Sequence, residues 1–267
     1  MIQSFLNPTF RRYDFMPGTP AILPFSQAFH PTPEDVETAI FLLKHRVPPE
    51  LALLIVSFGY NPWLVECRDT EQNYQAAYSR PGAGASVAGI YLSSQRIPFL
   101  GHRVIPQRII FQTRAGDQGW TGTWERSGTF TYSNTWFEAS ILRPIHPDTA
   151  NALTSTFEDA PENNWWDVAS SREYFNQRGW DFVQRKDGQI TWRVCTNILA
   201  QKKYRNYRVE WRRGVRTEAE DELGKGNGEG FLELLEPGSV IILWARAQRG
   251  ERENRVSAAT IEIQYQL

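Results

Sequence analysis

Cysteine is scarce in this sequence, with two residues in 267, Cys67 and Cys195. A disulfide framework is therefore not expected, nor a secreted fold that depends on one. Charge of one sign is lacking as well. Lysine and arginine number 29 against 30 aspartates and glutamates, a net charge of −1. No strong field draws nucleic acid or an anionic membrane surface, and neither is expected as a partner. The pairs Arg11-Arg12 and Arg212-Arg213 read as solvated faces. Long apolar runs are missing too: Leu51 to Val56, six residues, is as long as any, far short of the ~20 residues that span a bilayer. Met1-Ile2-Gln3-Ser4-Phe5 lacks the basic segment and apolar core of a signal peptide, so the cytoplasm is the expected location.

Histidine is thin, at four residues: His30, His45, His102 and His146. None sits in a nucleophile motif, and Gly-x-Ser-x-Gly does not occur, so a serine triad is not expected. His-x-His, Cys-x-x-Cys and His-Glu-x-x-His are also missing, and with them the ligand spacing that holds zinc. No metal and no cofactor are expected. What the chain has in quantity is aromatic surface, with ten Trp and 13 % aromatics within 41 % hydrophobic residues. That is enough to fill a sizeable core.

Prolines 8, 17, 20, 24 and 31 break regular structure over residues 1–31, while the phenylalanines among them seek burial. This segment reads as an extended arm. Thr32-Pro33-Glu34-Asp35 is a helix start, with a hydroxyl cap, a first-turn proline and acids at the positive helix end. A second short helix begins at Pro48-Pro49-Glu50 and places Leu51, Leu54, Ile55 and Phe58 on one face before Gly59. Arg80 to Ala85 carries a loop signal. From Val104 onward the texture turns to strand, over Ile109–Thr113, Thr135–Leu142, Ile190–Ile198, Tyr207–Trp211, Val240–Ala247 and Val256–Tyr265. Val240 to Trp244 is apolar on both faces, as a central strand requires. Ile261, Ile263 and Tyr265 alternate with Glu262, Gln264 and Gln266, so one face is buried and one solvated. The expected fold is mainly β, an antiparallel β-sandwich or jelly roll with a short N-terminal helical segment. Residues 1–103 are expected to form an arm and helix pair packed on the core, and residues 104–267 the sandwich.

Asp117-Gln118-Gly119-Trp120 and Thr135-Trp136-Phe137-Glu138 set indoles beside carboxylates and amides, a composition suited to a ligand wall. The competing use of each ring is core packing. The candidate wall residues are Trp120, Trp136 and Trp244; the candidate polarising groups are Asp117, Glu138, Arg208 and Arg246. Gly224-Lys225-Gly226-Asn227-Gly228-Glu229-Gly230 lacks the Walker spacing and reads as a mobile loop or lid between strands, next to the acidic run Glu218 to Glu222.

Asp117-Gln118-Gly119-Trp120, Gly128-Thr129-Phe130 and Thr135 to Ala139, with Gly224 to Phe231, Leu235 to Gly238, Trp244 to Ala247 and Ile261 to Tyr265, together resemble a group of fungal β-sandwich proteins without settled function. The likeness covers roughly residues 104–267. Val47 to Ile55 resembles the F-box-like segment that many of those proteins carry, some of them joined to ankyrin repeats. Relatives tend to have Trp two residues before the position of Asn254, where this chain has Arg252. As a stand-alone chain it also resembles the cofactor-free hetero-Diels–Alderases of tropolone sesquiterpenoid pathways. That resemblance implies an enzyme of fungal secondary metabolism that folds a hydrophobic small-molecule ligand in an aromatic pocket and promotes its cyclisation. Such catalysis rests on orientation and a few donors rather than on a nucleophile. The alternative is a non-enzymatic lectin-like or peptide-binding module whose degenerate F-box-like helix pair docks an adaptor. A purely structural scaffold is the third reading.

Overall fold

The strand β10 (Val240–Gln248) is buried on both faces, and the fold is organised around it. Its alternate side chains divide cleanly. Ile241, Leu243, Ala245 and Ala247 point into the main core, whereas Val240, Ile242 and Trp244 join a second apolar cluster on the opposite face. The computed structural model describes residues 31–78, 84–98, 105–120, 127–146, 157, 164–215 and 224–266. The expected arm, apart from Pro31, lies outside these residues, as do the acidic run Glu218 to Glu222 and most of the Arg80 to Ala85 loop.

Two antiparallel sheets form a β-sandwich. In the first, β1 (Trp63–Arg68), β11 (Glu253–Gln266), β5 (Ile105–Gly116) and β9 (Arg205–Arg212) lie side by side, and β2 (Gln72–Gln75) also pairs with β11. The second sheet runs β3 (Ala77–Tyr78), β4 (Ala85–Ser93), β10, β6 (Thr135–Pro144) and β7 (Trp180–Phe182), and β8 (Trp192–Thr196) also pairs with β6. The core between the sheets takes Ile261, Ile263 and Tyr265 from β11, Phe111 from β5, and Phe137 and Ile141 from β6. Phe111, Trp211 and Phe231 pack edge-on or tilted, with ring centroids 5.1 to 6.1 Å apart, which favours the ring quadrupoles beyond simple burial.

All six strands expected after residue 104 are strands. Strands β1 to β4, however, come from residues 63–93, ahead of Val104, where strand texture is expected to begin. The sandwich therefore draws strands from both sides of residue 104. The solvated face expected for β11 differs as well: Glu262 is fully buried, accepting from Gln112 Nε2 at 2.5 Å and from Thr260 Oγ1 at 3.1 Å. Both bonds fall on Oε1, and burial pushes the carboxyl pKa up against their pull.

The helices α1 (Pro33–Lys44) and α2 (Pro49–Ser57) form as expected. Thr32 and Asp35 make a reciprocal capping box, Asp35 N–H donating to Thr32 Oγ1 at 3.1 Å and Thr32 N–H to Asp35 Oδ2 at 2.9 Å. The pair has a small core of its own, Val36, Ile40 and Val56 with Ala39, Leu43, Leu53 and Tyr60 packed around it. Leu51, Leu54 and Ile55 are exposed. Two further short helices, α3 (Arg172–Asn176) and α4 (Phe231–Leu234), lie between strands. Among the described residues no helix is long and apolar enough to cross a membrane.

Candidate functional site

On the face of the second sheet that points away from the first, a polar row crosses from β8 to β4. Arg246 on β10 is buried and donates from Nη1 to Glu138 Oε2 on β6 at 3.0 Å. Its Nε donates to the Val87 carbonyl of β4 at 3.0 Å, and Nη2 reaches Ser86 Oγ at 3.5 Å. Glu138 also accepts from the Trp136 indole N–H at 2.8 Å. Arg193 of β8 stacks over the same indole at 4.4 Å, with Arg246 at 5.3 Å. Two cations thus stack on one indole whose N–H bonds the carboxylate that also faces both of them, so the charge of Glu138 is matched.

Beside this row lies an aromatic layer. Trp244 is fully buried and donates its N–H to Ser140 Oγ at 2.7 Å. Trp165 packs edge-on against it at 5.8 Å, and Phe175 at 6.2 Å. The backbone of Trp165 bridges to Ala88 of β4 in both directions, at 2.6 and 3.0 Å. This clamp holds the Asn164–Trp166 segment against the edge of the second sheet.

A pocket of about 380 Å³ opens there, where the chain passes from β2 in one sheet to β3 in the other. Ser86 and Val87, the two residues held by Arg246, are in its lining. Asn73, Gln75 and Tyr78 contribute from β2 and β3, and Asn164, Trp165 and Trp166 from across the cleft. The Trp166 indole N–H donates to the Gly84 carbonyl at 2.9 Å, which fixes that ring. The polar row therefore backs the pocket rather than entering it.

The expected site residues separate into three places. Trp136, Glu138 and Arg246 belong to one hydrogen-bonded unit, and Trp244 lies in the aromatic layer on the same face. Arg208 is on the other sheet, paired with Glu210 at 2.9 Å. Asp117 is a loop clamp: its carboxylate accepts from Gly119 N–H at 2.8 Å and from Ala200 N–H at 2.6 Å. Burial raises its pKa against the pull of these backbone donors and of Arg252. Gly119, at φ 87°, makes the turn that this clamp needs, with Lys202 packed where a side chain would stand. Trp120 is about two-fifths exposed. Arg252 covers its ring at 4.5 Å and donates to its carbonyl at 2.9 Å. None of the three expected wall tryptophans lines the pocket; its tryptophans are Trp165 and Trp166.

The glycine-rich segment is not the loose loop expected at residues 224–230. A Cβ on Gly226 would stand 1.7 Å from the Arg193 carbonyl oxygen, and one on Gly228 would overlap the Trp211 ring. Trp211 and Trp192 donate their indole N–H groups to the Gly226 and Glu229 carbonyls, both at 2.8 Å. These glycines let backbone lie directly on the core, which is close packing rather than lid motion.

Among the described residues no three histidine, cysteine, aspartate or glutamate side chains gather as a metal site would require. No protein-family model matches the chain, and no curated protein matches it either.

Proposed function

We propose that the chain is a binding module whose small-molecule ligand seats in the pocket at the sheet edge. One observation carries this reading. Two of the pocket's three aromatic rings are fixed from behind, Trp165 on Trp244 and Trp166 on the Gly84 carbonyl, so they face a ligand already ordered. A site that is rigid before binding loses little entropy on binding. The lectin-like alternative drawn from the sequence fits this geometry best. Cys67 and Cys195 are both unpaired, which suits a reducing compartment such as the cytoplasm.

The cyclisation reading, implied by the resemblance to cofactor-free hetero-Diels–Alderases, has its own support in the same place. A hydrophobic substrate folded between Tyr78, Trp165 and Trp166 would be held in one conformer, and orientation is the main demand of such a reaction. The helix pair offers a second surface. Leu51, Leu54 and Ile55 are each about half exposed, the condition that docking of a protein adaptor requires.

The test is a screen of neutral small molecules by intrinsic tryptophan fluorescence, on the unaltered chain and on Ala77→Trp. Ala77 is exposed and lines the pocket, so a larger ring there fills the space without entering the core. Ligands that quench the unaltered chain and not the variant support the reading. Ligands that bind both chains equally place the site elsewhere. Turnover of a bound polyene or quinone-type probe into a cyclised product would favour the enzyme over the module.

A further inference from the structure

We propose that the edge pocket takes a neutral sugar residue, an inference that rests on the pocket being the ligand site. The first argument is charge. Among the described residues, no aspartate, glutamate, lysine, arginine or histidine lines the pocket. Behind the pocket Arg246 and Glu138 are bound to each other, and Arg246 turns further donors to Val87 and Ser86; Arg255 and Glu253, opposite Asn73 and Gln75 in the sheet, stand outside the lining. A phosphate, carboxylate or ammonium ligand would give up hydration here and meet no opposite charge among the described lining residues.

The second argument is the kind of polar group present. Asn73, Gln75 and Asn164 bring three side-chain amides to the lining. None of these amides bonds to another described residue. An amide both donates and accepts, and so does a hydroxyl, so each can pair with a sugar hydroxyl in either sense. A purely apolar ligand would cover the same amides and leave them without water, at the cost of unmade hydrogen bonds.

The third argument is the rings. Tyr78 and Trp166 are exposed at the pocket and Trp165 is held in the aromatic layer behind it. The C–H face of a pyranose is the part of a sugar that an aromatic face can cover, while its equatorial hydroxyls point outward to the amides. Among the described residues, an uncharged lining, amides without partners and two fixed rings ask together for an uncharged ring rich in hydroxyls. The pocket opens at the edge of a sheet, so one ring of an oligosaccharide can enter while its neighbours remain outside.

The experiment presents the full chain with an array of neutral hexose disaccharides, including cellobiose, maltose and lactose, beside glucuronic-acid and glucosamine counterparts of the same linkages. Affinities are measured by titration calorimetry for the unaltered chain, Trp166→Ala and Ala77→Trp, and the melting temperature of each variant confirms its folding. At least one neutral sugar is expected to bind. Its affinity should fall about tenfold in Trp166→Ala, the loss of one stacked ring, and vanish in Ala77→Trp. The charged counterparts should bind at least about tenfold more weakly, as a desolvated unpaired charge requires. Equal or tighter binding of a charged counterpart that Ala77→Trp abolishes overturns the sugar class and leaves the pocket standing. So does silence of the whole array when the neutral dye N-phenyl-1-naphthylamine binds the unaltered chain and not Ala77→Trp. Neutral-sugar binding untouched by Ala77→Trp overturns both readings, as does silence of sugars and dye together.

Discussion

Arg246 and Glu138 face each other across β10 and β6 at 3.0 Å, with side chains 10 % and 13 % exposed. The pair is two residues out of line, since Arg246 lies opposite Trp136 and Glu138 opposite Trp244. The guanidinium therefore reaches diagonally and brings Trp136 under its plane. Replacing Glu138 by Ala strands a buried cation and should cost on the order of 3–5 kcal/mol. The double variant Glu138→Leu with Arg246→Met removes both charges and should recover much of that loss. Urea unfolding of the three chains measures the loss and its recovery.

Trp120 and Trp136 should separate in a stability measurement. Trp136 is nearly buried and bonded to Glu138, so Trp136→Ala is expected to lose roughly 3–5 kcal/mol. Trp120 is held mainly by Arg252 on a loop, and Trp120→Ala should lose less than about 1 kcal/mol. Thermal unfolding of both variants decides whether the loop ring is a surface feature.

Acid should weaken the fold through Glu210. Burial alone would raise its pKa, but hydrogen bonds from Arg108, Arg212 and Arg208 outweigh burial and hold it at about 2. A carboxyl depressed in the folded state contributes its full stability above its unfolded pKa and loses it as pH falls towards the folded value. The loss should therefore run from about pH 4.5 down to about pH 2. The difference in unfolding free energy between the unaltered chain and Glu210→Gln, followed over that window, should shrink as pH falls. Added salt should reduce it further, because Arg208 and Arg212 are partly exposed.

Gly226→Ala should be severely destabilising, because its methyl group would meet the Arg193 carbonyl at 1.7 Å. Gly59→Ala meets nothing within 4 Å and should be neutral or stabilising by up to about 1 kcal/mol. Comparing the two melting temperatures tests whether the glycine-rich segment is packed backbone or mobile loop.

The strands most legible in the sequence are those whose surroundings leave a pattern in the residues. β10 shows apolar residues on both faces because both faces are covered. β11 alternates at Ile261, Ile263 and Tyr265 because one side faces the core. β4 is equally buried, but Ala85, Ser86, Ala88 and Gly89 are small residues following the glycines 82 and 84, and small residues carry no strand signature. The polar row was half legible. Glu138, Arg246 and Trp136 are visible as candidates, whereas Arg193 enters only through its register opposite Glu138. Asp117 looks like a ligand group because its real partner, the Ala200 N–H, lies 83 residues away. The pocket had no signal in the sequence, since β2, β3, β4 and the Asn164–Trp166 segment meet only through the crossing of the sheets.

The central claim is that the edge pocket is the ligand site, and the side-chain amide resonances of the chain test it most directly. In a ¹H–¹⁵N titration with the tightest neutral disaccharide from the array, the Asn73, Gln75 and Asn164 amide pairs should shift together and saturate with one dissociation constant. The buried amides of Asn197 and Asn254, bonded to each other at 2.8 Å away from the pocket lining, should stay in place. Shifts confined to other residues, or none at saturating sugar, would contradict the account.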